Sequence, residues 1–148
     1  MAYRASAYFS GYTRKMPPKG QIAGTQCEIF HTHVFDKQQL DTVDMLELFP
    51  IPAGARITSL TYASENLPAG NLLLGWTTGN VGDPSAARTA GTEFVNAVAH
   101  AATDINVALS VLRLQDKSDA IRSIGMRASV LIGVAANRNI TFRVGLLF

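Results

Sequence analysis

A chain of 148 residues, 47% hydrophobic and only 16% charged, is long enough for one domain with a sizeable core. Its net charge of +2 is too small to argue for nucleic acid, its single cysteine excludes an internal disulfide, and no stretch approaches the ~20 apolar residues of a membrane span. The charged share lies below the ~25% usual for soluble domains. So thinly charged a chain tends to hide surface against partners, and an oligomer or larger assembly is expected.

Residues 1–26 form the first compositional block. Arg4, Arg14, Lys15 and Lys19 supply its charge and no acid precedes Glu28, whereas the remainder carries nine basic and eleven acidic residues. Tyr3, Tyr8, Phe9 and Tyr12 are interleaved with Gly, Ser and the Pro17–Pro18 pair, so the segment is not expected to pack as a regular element by itself. MAYRASAYFSGY has no apolar run of the kind a signal peptide needs. With Cys27 alone, folding in a reducing cytoplasm is expected. The block is either a loose terminus or an extended arm that orders on a neighbour. In the second case Tyr8, Phe9 and Tyr12 anchor it, while Arg4, Arg14 and Lys15 meet acidic surface. Four basic groups make a poor phosphate footprint, so direct nucleic-acid contact is not expected.

From residue 27 onward the sequence reads as strands. Gln26–Phe35 is the first, with Cys27, Ile29, His31 and His33 on one face and Glu28, Phe30, Thr32 and Val34 on the other. Val43–Phe49 is the second. Pro50 and Pro52 each lack a backbone donor, so no ladder is expected through Phe49–Pro52, and Gly54 can take positive φ and reverse the chain. After the turn, Leu60 and Tyr62 keep a two-residue period, but Ile57 to Leu60 is a step of three, which predicts a bulge near Ser59. A second Pro-Ala-Gly follows at Pro68–Gly70, and two such turns around one strand suggest an up-and-down or Greek-key path. Leu72–Thr78 is a short apolar run, as expected of a strand buried on both faces, with Trp76 in the core.

Gly79–Gly91 is a polar, Gly-rich loop, long for a compact domain, and therefore a candidate contact loop that includes Arg88. Thr92–Ala102 fits a short helix capped by Thr92, although a strand is also compatible. Ile105–Leu114 reads as a central strand. Met126–Val134 and Ile140–Phe148 both alternate, and Asn137–Asn139 between them predict a closing hairpin. About seven or eight strands at this spacing predict an all-β fold, an antiparallel β-sandwich or jelly roll over 27–148, preceded by the extended N-terminal arm of 1–26.

Little in the chain points to chemistry. His31-x-His33 places two imidazoles on one strand face, as in the metal site of cupin barrels. The glutamate that pattern needs is replaced by Lys37 and Gln38, and His100 lies in a different segment. Two half-exposed strand histidines are expected, with no metal and no cofactor. There is no Gly-x-Ser-x-Gly, no Walker lysine and no paired carboxylate, and Cys27 is expected to be a small core hydrophobe. An enzyme is not expected.

The hinge carries a resemblance. Phe49-Pro50-Ile51-Pro52-Ala53-Gly54-Ala55, followed by Ile57, Leu60 and Tyr62, resembles small head proteins of tailed bacteriophages. There a strand like Asp44–Phe49 precedes the turn. A short apolar strand ending in Gly follows, here Leu72–Gly79, and an alternating hairpin, here Ser129–Phe148, closes the chain. The resemblance covers Cys27–Phe148 and is to decoration, or cement, proteins of the capsid exterior. It implies a structural virion protein made in the host cytoplasm that bridges major capsid protein subunits, as a dimer or trimer, by contact alone. Arg4, Tyr8, Phe9, Tyr12, Arg14, Lys15 and Arg88 would be the capsid-binding residues. A head-fibre or carbohydrate-binding module, a shell or tail component, and a cupin-like metalloprotein are the rival readings.

Overall fold

The structure, a computed structural model, describes residues 3–5, 26–116 and 118–148. Tyr8, Phe9, Tyr12, Arg14 and Lys15 therefore lie outside the described residues, and Arg4 lies in a short strand at the start. The strands are β1 (Tyr3–Ala5), β2 (Gln26–Val34), β3 (Met45–Ile51), β4 (Arg56–Glu65), β5 (Asn71–Trp76), β6 (Val95–Ala99), β7 (Ile105–Asn106), β8 (Arg122–Ala128) and β9 (Asn139–Leu147). One turn of helix, α1 (Leu109–Leu112), precedes β8. Among the described residues, no helix is long and apolar enough to cross a membrane.

The strands form two facing sheets. One is ordered β1-β3-β8-β5-β6 and the other β2-β9-β4-β7. All pairings are antiparallel except β1 with β3, where Tyr3 lies opposite Met45 and Ala5 opposite Glu47. This is the expected β-sandwich, and the chain builds it by changing sheets at every step except β5 to β6. The path is therefore not up-and-down. The two Pro-Ala-Gly turns are corners between sheets.

Period-two patterning places the core. On β9, Ile140, Phe142, Val144 and Leu146 are all fully buried and face the other sheet. Phe142 lies between the rings of Phe49 on β3 and Tyr62 on β4, at 6.1 and 6.2 Å between centroids. The bulge predicted near Ser59 is present, as a register shift between Ile57 and Ser59 against β9. Gly54 adopts φ +78°, the left-handed turn that the hinge requires.

Four local expectations give way to tertiary context. The ladder runs through Pro50, which lies opposite Ser123. Within residues 92–102 the chain forms not the helix but the strand that was also compatible, β6, bulged against β5 and with Ala97 at φ +53°. The apolar run at 105–114 gives only the two-residue edge strand β7 and α1, and leaves Leu109 and Leu114 exposed. The predicted closing hairpin does not form: β8 and β9 belong to opposite sheets. The intervening 129–138 segment is tied to the β2–β3 connection by the Leu40–Ile132 bridge and by Ala135 N–H donating to the Phe35 carbonyl at 2.7 Å.

His31 and His33 share a face, as predicted, but that face is the core. They are 9% and 6% exposed, where half-exposed side chains are expected from the sequence. The His31 ring meets Phe49 and the His33 ring meets Phe35, edge to face. Burial lowers both pKa values from 6.5 to about 4; at His33 the neighbouring His31 lowers it further, and Asp36 opposes both effects. Unfolding returns these groups to their ordinary value. Between pH 6.5 and about 4 the unfolded chain therefore takes up protons that the folded chain refuses. The stabilisation is complete above 6.5 and is lost as pH falls toward 4. Each tenfold difference in proton affinity between the folded and unfolded chain is worth about 1.4 kcal/mol. The melting temperature should fall by roughly 10 °C from pH 7 to pH 4.5. A His31→Leu/His33→Leu variant should lose most of that dependence in the same calorimetric series.

Candidate functional site

The Gly79–Gly91 segment, expected to be a contact loop, folds back over the outer face of the five-stranded sheet together with residues 77–78. Its neck is closed by the Thr77–Ala90 bridge and by the Thr78 N–H donating to the Thr89 carbonyl at 2.8 Å. The sheet beneath is prepared for it. Glu47 of β3 lies opposite Gly125 of β8, and Gly125 lies opposite Gly75 of β5. A Cβ on Gly125 would stand 2.9 Å from the Ala90 Cβ and 2.7 Å from the Thr77 methyl, and one on Gly75 would overlap the Gly91 backbone. The two glycines make a bare strip on which the returning limb of the loop lies.

Glu47 anchors the loop. Its side chain is 0% exposed and that of Arg88 is 4% exposed. The Arg88 guanidinium donates Nη2 to Glu47 Oε1 at 2.8 Å and Nη1 to Oε2 at 3.0 Å, the two-pronged geometry of the strongest ion pairs. Its other donors reach the Thr78 carbonyl at 2.6 Å, the Asp83 carbonyl at 2.9 Å and Thr77 Oγ1 at 3.0 Å. All five N–H groups of a guanidinium are thus engaged. The carboxylate also accepts from Ser123 Oγ and from the Gly82 N–H at 3.2 Å. Gly82, at φ +74°, turns the loop so that this N–H points at the anchor.

Arg88 is therefore not a contact side chain as the sequence suggests. It is the internal clasp that shapes the loop and leaves Thr78, Gly79, Asn80, Pro84, Ala86 and Ala87 at the surface. Sequence reading missed Glu47 as its partner, because the two lie 41 positions apart. One signal was present: a lone glutamate inside the apolar run MLELFPI. Trp76, beside the neck, is half-buried. Its Nε1 donates to Gln115 at 2.8 Å, its ring meets Phe94, and the Arg122 guanidinium lies 3.8 Å above the ring centroid.

The other candidate chemistry does not converge. Among the described residues, no three His, Cys, Asp or Glu side chains are grouped to hold a metal. His100 lies away from His31 and His33, with Nε2 2.7 Å from the Pro68 carbonyl and Nδ1 2.9 Å from Ser64 Oγ. Since the carbonyl can only accept, Nε2 is the protonated nitrogen. A serine beside an oriented imidazole has the spacing of a nucleophile and base. Ser64, however, is 3% exposed, and its hydroxyl also reaches the Ala101 carbonyl at 3.2 Å. The group ties the 64–68 corner to residues 100–101 and presents no nucleophile to solvent. Cys27 is partly buried against the core, which raises its pKa away from thiolate reactivity.

Removing Arg88 strands a buried carboxylate. Arg88→Ala should cost about 3–5 kcal/mol in urea denaturation, and a Glu47→Leu/Arg88→Leu double variant should cost less than the single. Gly75→Ala should cost about 1–3 kcal/mol and raise proteolytic cleavage within residues 78–87.

The sequence matches no protein-family model and no curated protein. Solved structures do match. The fold is similar to that of a chain in the capsid of Ralstonia phage GP4, with a TM-score of 0.83 and 22% identity over 99% of this chain and 97% of that one. A chain of the cyanophage Pam1 capsid asymmetric unit aligns at TM-score 0.59 and 16% identity, over 93% of this chain and 94% of the other. A chain of the acidic stable capsid of Helicobacter pylori bacteriophage KHP30 aligns at 0.54 and 9%, over 86% and 90%. The whole sandwich is thus an architecture also present in chains of phage capsids.

Proposed function

We propose that this chain is a decoration protein of a phage head, which binds the outer face of the capsid and stabilises contacts between major capsid protein subunits. The supporting observation is the end-to-end match with a chain of nearly the same length in the GP4 capsid. The protein works by contact alone. Surface shared with two or more capsid subunits adds free energy to an expanded shell that must hold packaged DNA. Modest interfaces combine through avidity.

Two parts of the chain suit this role. The arm carries Arg4, Arg14 and Lys15 for acidic capsid surface and Tyr8, Phe9 and Tyr12 as anchors. The 77–91 loop offers a backbone already held in one shape by Glu47 and Arg88, so little ordering entropy opposes its docking.

Shells of the cognate phage assembled without this chain provide the test. Added protein should co-sediment with expanded shells, appear on their exterior by cryo-electron microscopy and raise their disruption temperature. Deleting residues 1–20 should leave a folded sandwich, by circular dichroism, that no longer binds. Full-length protein that binds no shell would refute the decoration reading. A truncated chain that binds with undiminished affinity would refute only the arm's part in it.

A further inference from the structure

The outer face of the four-stranded sheet carries a hollow that the capsid reading does not use. Two rows of residues cross the sheet there. In one, Phe30 on β2 lies opposite Arg143 on β9, Arg143 opposite Thr61 on β4, and Thr61 opposite Asn106 on β7. In the next, Thr32 lies opposite Thr141 and Thr141 opposite Ala63, with Asp104, one residue before β7, beside them. Their neighbours along the strands, His31, Phe142 and Tyr62, are buried, so these two rows face away from the core. Ala63 has only a methyl group among larger neighbours, and the depression lies over it.

The rim is chemically mixed. Phe30, 68% exposed, supplies an apolar ring. Asp104, exposed, supplies a carboxylate that accepts, and Arg143, half-buried, a guanidinium that donates. Among the described residues, neither of these two charged groups makes a hydrogen bond or an ion pair. The hydroxyls around them are held. Thr61 Oγ1 donates to Asn106 Oδ1 at 2.7 Å, and the Thr32 and Thr141 hydroxyls lie 2.9 Å apart.

We propose that this hollow is a saccharide site, where a neutral pyranose lies against the Phe30 ring and is held through its hydroxyls by Asp104 and Arg143. A pyranose has C–H groups on one face and hydroxyls around its rim. Its C–H groups carry slight positive charge and suit the negative face of an aromatic ring. Its hydroxyls both donate and accept, so a carboxylate and a guanidinium can engage adjacent ones through charge-assisted bonds. The two protein charges cancel, which favours an uncharged sugar over an acidic one. A peptide strand fits less well. At Thr61 and Thr141 the strands are paired on both sides, so no ladder group is left for main-chain pairing. The proposal concerns the free protein and stands whether or not it decorates a shell.

The test needs no shells. Methyl glucoside, methyl galactoside, methyl mannoside and methyl rhamnoside are titrated into the isotope-labelled full-length chain to roughly 100 mM, enough to fill a millimolar site. At least one should saturate, with amide shifts concentrated at positions 30, 61, 63, 104, 141 and 143. Phe30→Ala and Asp104→Ala, both at exposed positions, should each weaken binding at least tenfold with an unchanged melting temperature, and Phe30→Tyr should retain it. Glucuronate should bind more weakly than methyl glucoside. No saturation by any of the four, shifts outside the hollow, tighter binding of glucuronate, or a Phe30→Ala variant that binds as before would each overturn the proposal. So would a wild-type chain that needs Phe30 to bind shells but binds no sugar, since the face would then be a protein contact.

Discussion

Glu47 and Arg88 are the constraint on which the outer half of this molecule depends. A carboxylate with no exposed surface in a buried strand is costly unless it is paired and fully hydrogen-bonded. Here the pairing partner comes from a loop, so the cost of burying the charge is offset only when that loop is in place. A pair of this kind adds little net stability compared with an apolar replacement; its use is to select one arrangement among many. It selects a loop laid on the Gly75–Gly125 strip, with its neck closed at Thr77 and Ala90. Residues 77–91 thus become a surface held in one shape before anything docks on it.

How much was legible in the sequence depended on whether the signal was local. The alternation of Ile140, Phe142, Val144 and Leu146 marked β9 and its buried face, and the three-residue step from Ile57 to Leu60 marked the bulge. The Gly54 turn was also readable, because only the backbone at that position is concerned. Turn signals could not say whether a reversal stays in one sheet or crosses to the other. Asn137–Asn139 look the same in either case, so the alternating 126–134 and 140–148 runs suggested a hairpin where the chain in fact changes layers. At 105–114, apolar density without a firm period was read as a strand, and the chain made a two-residue edge and one helical turn. The clasp was illegible for a further reason: a glutamate and an arginine 41 positions apart carry no shared pattern. Two glycines inside apolar strand runs could have hinted that another backbone approaches there.

The buried polar groups point the same way as the surface. His31 and His33 fill the core as neutral rings, Ser64 and His100 fasten a corner, and Glu47 and Arg88 fasten a loop. Each is used internally. Among the described residues, the outside offers backbone at the loop and, at Phe30, an exposed aromatic ring. Such a surface suits recognition between folded partners, and the same layered scaffold occurs in chains of three phage capsids.

The central place of β9 has a consequence for how the chain is made. It lies between β2 and β4 and is paired along nearly its whole length with both, yet it is the last of these strands to leave the ribosome. Until it arrives, β2 and β4 have no common neighbour and one layer of the sandwich cannot close. With contacts so distant in sequence, maturation should be slow and all-or-none. Nascent chains would then spend that interval with bare strand edges, which favours a chaperone as the first molecule they meet.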